Sequence, residues 1–401
     1  MPLFTGNLKM WMSLCQSLKI FSMLVEVEMI NETGQIELDQ KYMLLALAEA
    51  RRGQGRTSPN PCVGAIIVGD GSVVGRGYHK KAGTPHAEVH ALRDAGEKAA
   101  GATAYVTLEP CSHTGRTPPC CVALAKAGVL RVVVGMTDPN PLVNGRGVQY
   151  LRDHGIEVST GICEADCREI NRPFIKKITT GTPWMIMKAG ISLDGRMNYK
   201  EGEPGWITGP ESGALVHQLR DSVDAIMVGS GTVMIDNPSL TTRLPGGGGR
   251  DPVAVILDSQ LKTDPDAHVY SAASGRSVLV FCQHDVDEGR KEVFAERGVI
   301  VLPVSSLPEG LDLGEIVAVL GERDICSVLV EGGAQLHGQL LQKRLYDYLY
   351  LFQAPLFAGD GGVSLVTGCP LAGREDAIAL RGVRRSVLGA HLLLEGEIEY
   401  P

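Results

Sequence analysis

An α/β protein of two domains is the architecture this sequence predicts, on three observations. β-branched runs alternate with helically spaced apolar segments along nearly the whole chain, the pattern of a sheet covered by helices on both faces. At 401 residues the chain exceeds the usual size of one hydrophobic core. Its apolar content of 44% comes in mostly short runs beside 49 glycines, which fits a globular chain and not a disordered or membrane-embedded one.

The elements follow in order. Residues 39–51 read as a helix because Met43, Leu44, Leu47 and Ala48 share one face. A strand is expected over 63–68, a helix over 85–99, a strand over 104–108, a cysteine-bearing loop, a helix over 120–127 and a strand over 129–135. Residues 138–147 hold two prolines, two asparagines and two glycines and read as a loop. A helix over 164–172 leads into an apolar strand over 184–188, so the domain boundary is placed near Gly181. Beyond it, strands near 225–229, 253–257, 277–281, 299–302, 327–330 and 348–352 alternate with helical segments, and the run Gly246 to Gly249 is a flexible loop tip. Residues 1–38 form an N-terminal extension outside the fold, with Met29 or a nearby codon as the expected natural start.

Composition excludes several function classes. The net charge of −8 gives no basic footprint for nucleic acid, so small-molecule partners are expected. Lys9, Gln16, Lys19, Glu26 and Glu28 interrupt the N-terminal apolar stretch, which falls short of the roughly 20 residues that span a bilayer. Ten cysteines in so long a chain do not form a small disulfide scaffold, and those in a metal pattern need free thiolates, which points to a reducing cytoplasm.

The chemistry is concentrated in Pro85-His86-Ala87-Glu88, followed by Pro110-Cys111 and Pro119-Cys120. One imidazole and two thiolates are a sufficient ligand set for a catalytic zinc, which keeps a fourth position for water. With a helix starting near Pro85, Glu88 projects to another side of its first turn and reaches that water without binding the metal. Zinc deaminases use this arrangement, the glutamate shuttling protons to the departing ammonia. Cys121 and His113 are rival ligands that spacing alone does not eliminate. A closed structural zinc knot is the plain alternative, but it needs a fourth ligand and leaves Glu88 without a task.

The second half carries Lys188-Ala-Gly-Ile-Ser-Leu-Asp-Gly-Arg196, Gly205-Trp-Ile-Thr-Gly209, His217-Gln-Leu-Arg220, Gly229-Ser-Gly-Thr-Val233, Asp236-Asn-Pro-Ser-Leu-Thr-Thr-Arg243 and Glu331-Gly-Gly-Ala-Gln-Leu-His337. Glycines that end a strand and open a helix let backbone N–H groups approach a phosphate, and the junction at 328–336 has that form. The run from Gly229 fails the dinucleotide fingerprint at its sixth position, which argues against a standard Rossmann site.

Residues 107–120, with eight residues between the two cysteines, and Asn60-Pro-Cys-Val-Gly resemble the deaminase half of the bifunctional riboflavin-biosynthesis deaminase/reductase family. The later motifs resemble its reductase half, in the same order. The resemblance spans about 39–395. It implies an N-terminal cytidine-deaminase-like three-layer α/β/α domain over 39–181 and a C-terminal dihydrofolate-reductase-like α/β domain over 182–401. Carried over residue by residue, it implies one Zn2+ held by His86, Cys111 and Cys120, favouring Cys120 over its rivals, with Glu88 as catalytic acid and base. Asn60, His79 and Arg116 become substrate contacts of the deaminase. Lys188, Arg220, Arg243 and Glu331 become contacts to the ribosylamino-pyrimidine phosphate. NADPH falls to Gly190, Trp206, Thr232, Asp236 and the turn Gly333, Ala334, Gln335, Leu336, His337, Gly338 and Gln339. Where the family often carries a serine two residues before the tryptophan, this chain has Pro204, so that hydroxyl contact is absent. The implied activity is hydrolytic deamination of a diaminopyrimidine ribosylamine phosphate, then NADPH-dependent reduction of its ribosyl group, in a cytoplasmic homo-oligomer. The competing reading is a tRNA or nucleoside deaminase with an appended nucleotide-binding domain; the long cysteine insert, the acidic balance and the second set of motifs oppose it.

Overall fold

The computed structural model describes residues 34–112, 118–140, 143–271 and 275–401, and the chain divides into two compact units. The first comprises the chain through Gly53 and Cys62–Ile170; the second comprises Gln54–Pro61 and Asn171–Pro401.

In the first unit helix α1 (34–51) precedes β1 (Gly64–Gly69), β2 (Ser72–Tyr78), α2 (Ala87–Ala95), β3 (Thr103–Leu108), α3 (Cys120–Lys126), β4 (Arg131–Met136), α4 (Arg146–Asp153), β5 (Glu157–Thr160) and α5 (Glu164–Ile170). The sheet order is β2-β1-β3-β4-β5, antiparallel at β2-β1-β3 and parallel from β3 to β5. Because strand side chains alternate between faces, Ala65, Ile67, Val106, Val132 and Val134 pack against α2, α3 and α4. The other face lies under α1 and α5: Gly64 abuts the backbone of Ala46 and Ala50, and Gly135 abuts the sulfur of Cys167. This is the three-layer α/β/α arrangement.

The second unit opens with α6 (Arg172–Thr180) and β6 (Trp184–Ile191), followed by α7 (Pro210–Ser222), β7 (Ala225–Gly229), α8 (Ser230–Asp236), β8 (Val253–Leu257), β9 (Val278–Gln283), α9 (Glu288–Ala295) and β10 (Ile300–Val304). A two-stranded ribbon, β11 (Ser306–Leu307) with β12 (Gly310–Leu311), leads to α10 (Leu313–Glu322), β13 (Ser327–Val330), α11 (Ala334–Gln342), β14 (Tyr348–Gln353), β15 (Ala379–Leu388) and β16 (His391–Glu399). Nine strands form one sheet in the order β10-β9-β8-β7-β13-β6-β14-β16-β15, parallel through β14 and antiparallel beyond. One face buries Met185, Met227, Val255 and Val330 against α10 and α11 through Ile316, Leu320, Leu336 and Leu340. The opposite face buries Ile226, Ile256 and Val280 with Val233 of α8 and Phe294 of α9. Segment 54–61, with a cis Ser58–Pro59 bond, is tied into this unit: Arg56 Nη2 donates to both Asp221 carboxylate oxygens at 2.8 and 3.0 Å, and the Ser58 hydroxyl donates to Asp224 at 2.9 Å.

The structure adds elements to the sequence expectation. β2 is a strand although Gly75 and Gly77 weaken its signal; both pass so close to α2 that a Cβ would stand 2.3 Å from the carbonyl oxygens of Ala91 and Ala87. Helix α4 begins inside the expected loop, α6 follows α5 directly, and the β15–β16 hairpin extends the sheet past its last expected strand. No helix among the described residues is long and apolar enough to cross a membrane.

Candidate active sites

In the first unit β3 delivers Cys111 just past its C-terminal end, while α2 and α3 deliver His86 and Cys120 from their N-terminal ends. His86 is the N-cap of α2, which begins at Ala87, near Pro85 as expected. Its Nδ1 lies 3.3 Å from the Cys120 Sγ and 3.6 Å from the Cys111 Sγ, and the three ligand atoms all lie within 4.8 Å of one another. The Cys120 backbone N–H donates to the Cys111 sulfur at 3.3 Å. That bond and the nearby His86 favour thiolate at Cys111.

Electrostatics polarise the pair. Hydrogen bonding with Cys120 and then with His86 overcomes burial and holds the Cys111 thiol well below its ordinary value. Its bond to Cys111 and burial push Cys120 far up. Two sulfurs this close resist ionising together unless a cation stands between them, so the donor set fits a zinc ion. Cys121 is rejected by geometry: it is buried in the core with Leu124 and Val134, on the side of α3 that faces the sheet.

Glu88, in the first turn of α2, is 3% exposed, and its Oε2 has no hydrogen-bond partner among the described residues. Burial and then the Cys111 charge push this carboxyl up to about 7. A buried carboxylate oxygen without a donor is costly, which makes it a receptor for a proton or a donor brought by a ligand. His79 is also buried; its Nδ1 is 3.3 Å from the Pro85 carbonyl and its ring meets His86 edge-on at 5.4 Å. Burial lowers its proton affinity and favours the neutral ring. Asn60 lies in segment 54–61, grouped with the second unit, and Arg116 and His113 lie outside the described residues.

In the second unit β7, β13 and β6 are neighbours, so the chain segments leaving their C-terminal ends gather side by side, where open α/β sheets bind ligands. Glu331 follows β13 and is buried, accepting from Arg220 Nε and Nη2 at 2.7 and 2.8 Å, with Lys188 Nζ of β6 at 3.6 Å. Burial raises the Glu331 carboxyl, yet Lys188 and Arg220 outweigh it and hold it at about 2. Arg220 spends its fork on Glu331 and donates Nη1 to the Thr241 carbonyl. Arg243 is exposed, its Nη1 donating to Thr241 Oγ1 at 3.2 Å.

Beyond Glu331, Gly332 and Gly333 have φ of +156° and +74°, which favour glycine, and a Cβ on Gly332 would meet Thr232 Oγ1 at 3.1 Å. This glycine cradle opens α11, whose first N–H groups have no carbonyl within the helix to bond. Gln335 is exposed there, and Thr232 of α8, which stands against Gly332, is half-buried. The rest of the turn behaves differently. Leu336 packs into the core and His337 is buried on the Tyr346 hydroxyl at 2.7 Å. Gly338 presses on the Thr367 carbonyl oxygen, and Gln339 donates to the Glu309 carbonyl at 2.6 Å. Leu336, His337, Gly338 and Gln339 are thus engaged within the protein, and Gly333, Ala334 and Gln335 stand at the start of α11. Gly190 sits against Thr208, Trp206 is 73% exposed, and Asp236 closes α8. The glycine cradle and helix start fit a dinucleotide's phosphates.

Sequence reasoning passed over Glu109. It is 3% exposed and accepts four backbone N–H bonds, from Asp138, Gly145, Gly147 and Val148. An acidic residue between an apolar strand and Pro110-Cys111 was its available signal.

Residues 36–136 match the cytidine and deoxycytidylate deaminase zinc-binding region, and residues 183–392 match the RibD C-terminal domain. The riboflavin biosynthesis protein RibD of Aquifex aeolicus is 43% identical over 358 residues, 89% of this chain and 98% of that protein. Its Escherichia coli counterpart is 44% identical over 84% of this chain and 92% of that protein. Among solved structures, Acinetobacter baumannii RibD superposes with a TM-score of 0.81 at 37% identity, covering 91% of this chain and 99% of the other. A Thermotoga maritima diaminohydroxyphosphoribosylaminopyrimidine deaminase/5-amino-6-(5-phosphoribosylamino)uracil reductase superposes with a TM-score of 0.79 at 33% identity, covering 92% and 100%.

Proposed function

This chain belongs to the RibD family of riboflavin biosynthesis proteins, and from that premise we propose how its residues divide the work of two reactions. It is a bifunctional enzyme whose cofactors are Zn2+ and NADPH. The first reaction hydrolyses an amino group from 2,5-diamino-6-(5-phosphoribosylamino)pyrimidin-4(3H)-one and releases ammonia. The second reduces the resulting 5-amino-6-(5-phosphoribosylamino)uracil to the 5-phosphoribitylamino product.

In the first unit His86, Cys111 and Cys120 would hold the zinc, and the convergence of these three side chains is the observation that carries the assignment. Bound zinc acidifies a water for attack on the amino-bearing ring carbon. Glu88 takes one proton from water and gives it to the ring nitrogen as the C–O bond forms, then takes the second from the new hydroxyl and gives it to the amine as the C–N bond breaks and a carbonyl is left; its burial and unpartnered oxygen suit a group that is protonated in mid-cycle. His79, Asn60 and Arg116 are assigned to the pyrimidine substrate. A neutral His79 ring held on the Pro85 carbonyl suits that task.

In the second unit NADPH, once bound, supplies the hydride. Gly333, Ala334 and Gln335, with Gly190, Trp206, Thr232 and Asp236, would hold the cofactor. Arg243 is the free-standing cation for the substrate phosphate, a task its planar fork suits. Glu331 acts through its neighbours, holding Arg220 and Lys188 in place at the C-terminal edge of the sheet. The nucleoside deaminase alternative leaves the RibD C-terminal domain without a role and is not favoured. A cytoplasmic setting is supported by the thiolates that the Cys111 and Cys120 metal pattern needs, and a homo-oligomer by family kinship.

The test is an assay of both products with purified protein. Ammonia release should precede NADPH oxidation on the diaminopyrimidine substrate. NADPH consumption without ammonia would contradict the proposed order.

A further inference from the structure

Glu109 is a buried carboxylate that stands at the start of the cysteine loop and bonds the segment after β4. Its Oε1 accepts from Gly147 N at 2.9 Å and Val148 N at 3.2 Å, and its Oε2 from Gly145 N at 2.9 Å and Asp138 N at 3.2 Å. Its own N–H donates to the Met136 carbonyl at 2.9 Å, which locks it to the end of β4. A carboxylate has about four lone-pair sites, and all are taken by amides that α4 and its approach would otherwise leave bare.

The clamp lies one residue from Pro110 and two from Cys111. Gly147 packs so tightly on Pro110 that a Cβ there would stand 2.0 Å from the Pro110 carbonyl oxygen. On the other side, the Cys111 carbonyl accepts from Cys121 N at 3.3 Å and its sulfur accepts from Cys120 N at 3.3 Å. Cys111 is therefore held between α3 and a segment whose position Glu109 fixes.

We propose that Glu109 is a positioning residue for the deaminase centre: by gathering the amides of Asp138, Gly145, Gly147 and Val148 it braces Pro110 and sets where the Cys111 sulfur stands. The inference rests on the zinc reading of His86, Cys111 and Cys120.

Linkage supplies the test. If the braced segment fixes a metal ligand, the metal must stabilise the segment by the same factor. Amide hydrogen exchange is measured on the full chain with zinc bound and after removal by a chelator. Exchange at Gly145, Gly147 and Val148 should accelerate at least tenfold on zinc removal, ahead of the amides of β1 and β2. Unchanged exchange, or acceleration spread evenly over the first unit, overturns the proposal. In Glu109→Gln an amide replaces one oxygen and faces two N–H donors. This variant should release zinc to the chelator at least tenfold faster, with reduction of supplied phosphoribosylaminouracil unchanged; release within twofold of the parent also overturns it. A parent protein that binds no zinc sinks the zinc reading instead, so the two failures are distinguishable.

Discussion

Arg220 and Glu331, 111 residues apart in the chain, form a two-pronged ion pair at 2.7 and 2.8 Å that ties α7 to the end of β13. Lys188 joins the same carboxylate from β6. The cluster concentrates two cations at the C-terminal edge of the sheet while cancelling part of their charge. Glu331→Ala would leave both cations facing each other with no buried anion between them. The variant should lose about 3–5 kcal/mol of stability in the second unit, measured by urea denaturation.

The same pair sets an acid limit. Glu331 falls from an ordinary 4.5 to about 2, because Lys188 and Arg220 outweigh its burial. A depressed carboxyl stabilises the fold fully above its unfolded value and loses that contribution as pH falls toward its folded value. Stability curves of the parent protein and Glu331→Gln should therefore converge between pH 4.5 and about 2, since the amide has no proton to gain. A constant gap across that window would remove this account of the pair.

Cys120 and Cys121 separate by position on α3. Cys120→Ser should abolish zinc binding and ammonia release, because its sulfur faces His86 at 3.3 Å. Cys121→Ala should keep the zinc and cost about 1 kcal/mol for a small group lost from the core. Metal analysis of the two purified variants checks this.

Glu88→Ala should retain zinc and lose deamination by roughly two to four decades, the usual worth of a positioned acid and base. Retained ammonia release would show that another group carries the proton.

Arg243→Ala should raise the reductase KM for the phosphorylated substrate without changing stability, because the side chain is exposed and makes one bond to Thr241. Steady-state kinetics with NADPH saturating, beside a melting curve, tests both halves of that expectation.

Much of this was legible because its causes are local. His86, Cys111 and Cys120 announce a metal set by residue type, with Glu88 as the carboxylate beside it, and strands such as Ala225–Gly229 and Ser327–Val330 are apolar runs that need burial on both faces. The rest depended on partners distant in sequence. β2 carries Gly75 and Gly77 to let α2 approach, so its strand signal is diluted by a packing demand. β15 and β16 are held partly by Arg381–Glu397 and Arg384–Glu395 pairs, which appear in sequence as two unrelated charged stretches. The turn after Glu331 reads as one uniform motif, yet helical rotation sends His337 onto Tyr346 and leaves Gln335 outside. Glu109 acts through backbone amides, which have no residue-type signature at all.

The central claim is tested most directly by zinc-edge X-ray absorption on the metal-loaded protein. The account predicts one imidazole nitrogen near ~2.0 Å, two sulfurs near ~2.3 Å and one further light atom from solvent. A shell of four protein ligands, or one with fewer than two sulfurs, would contradict it.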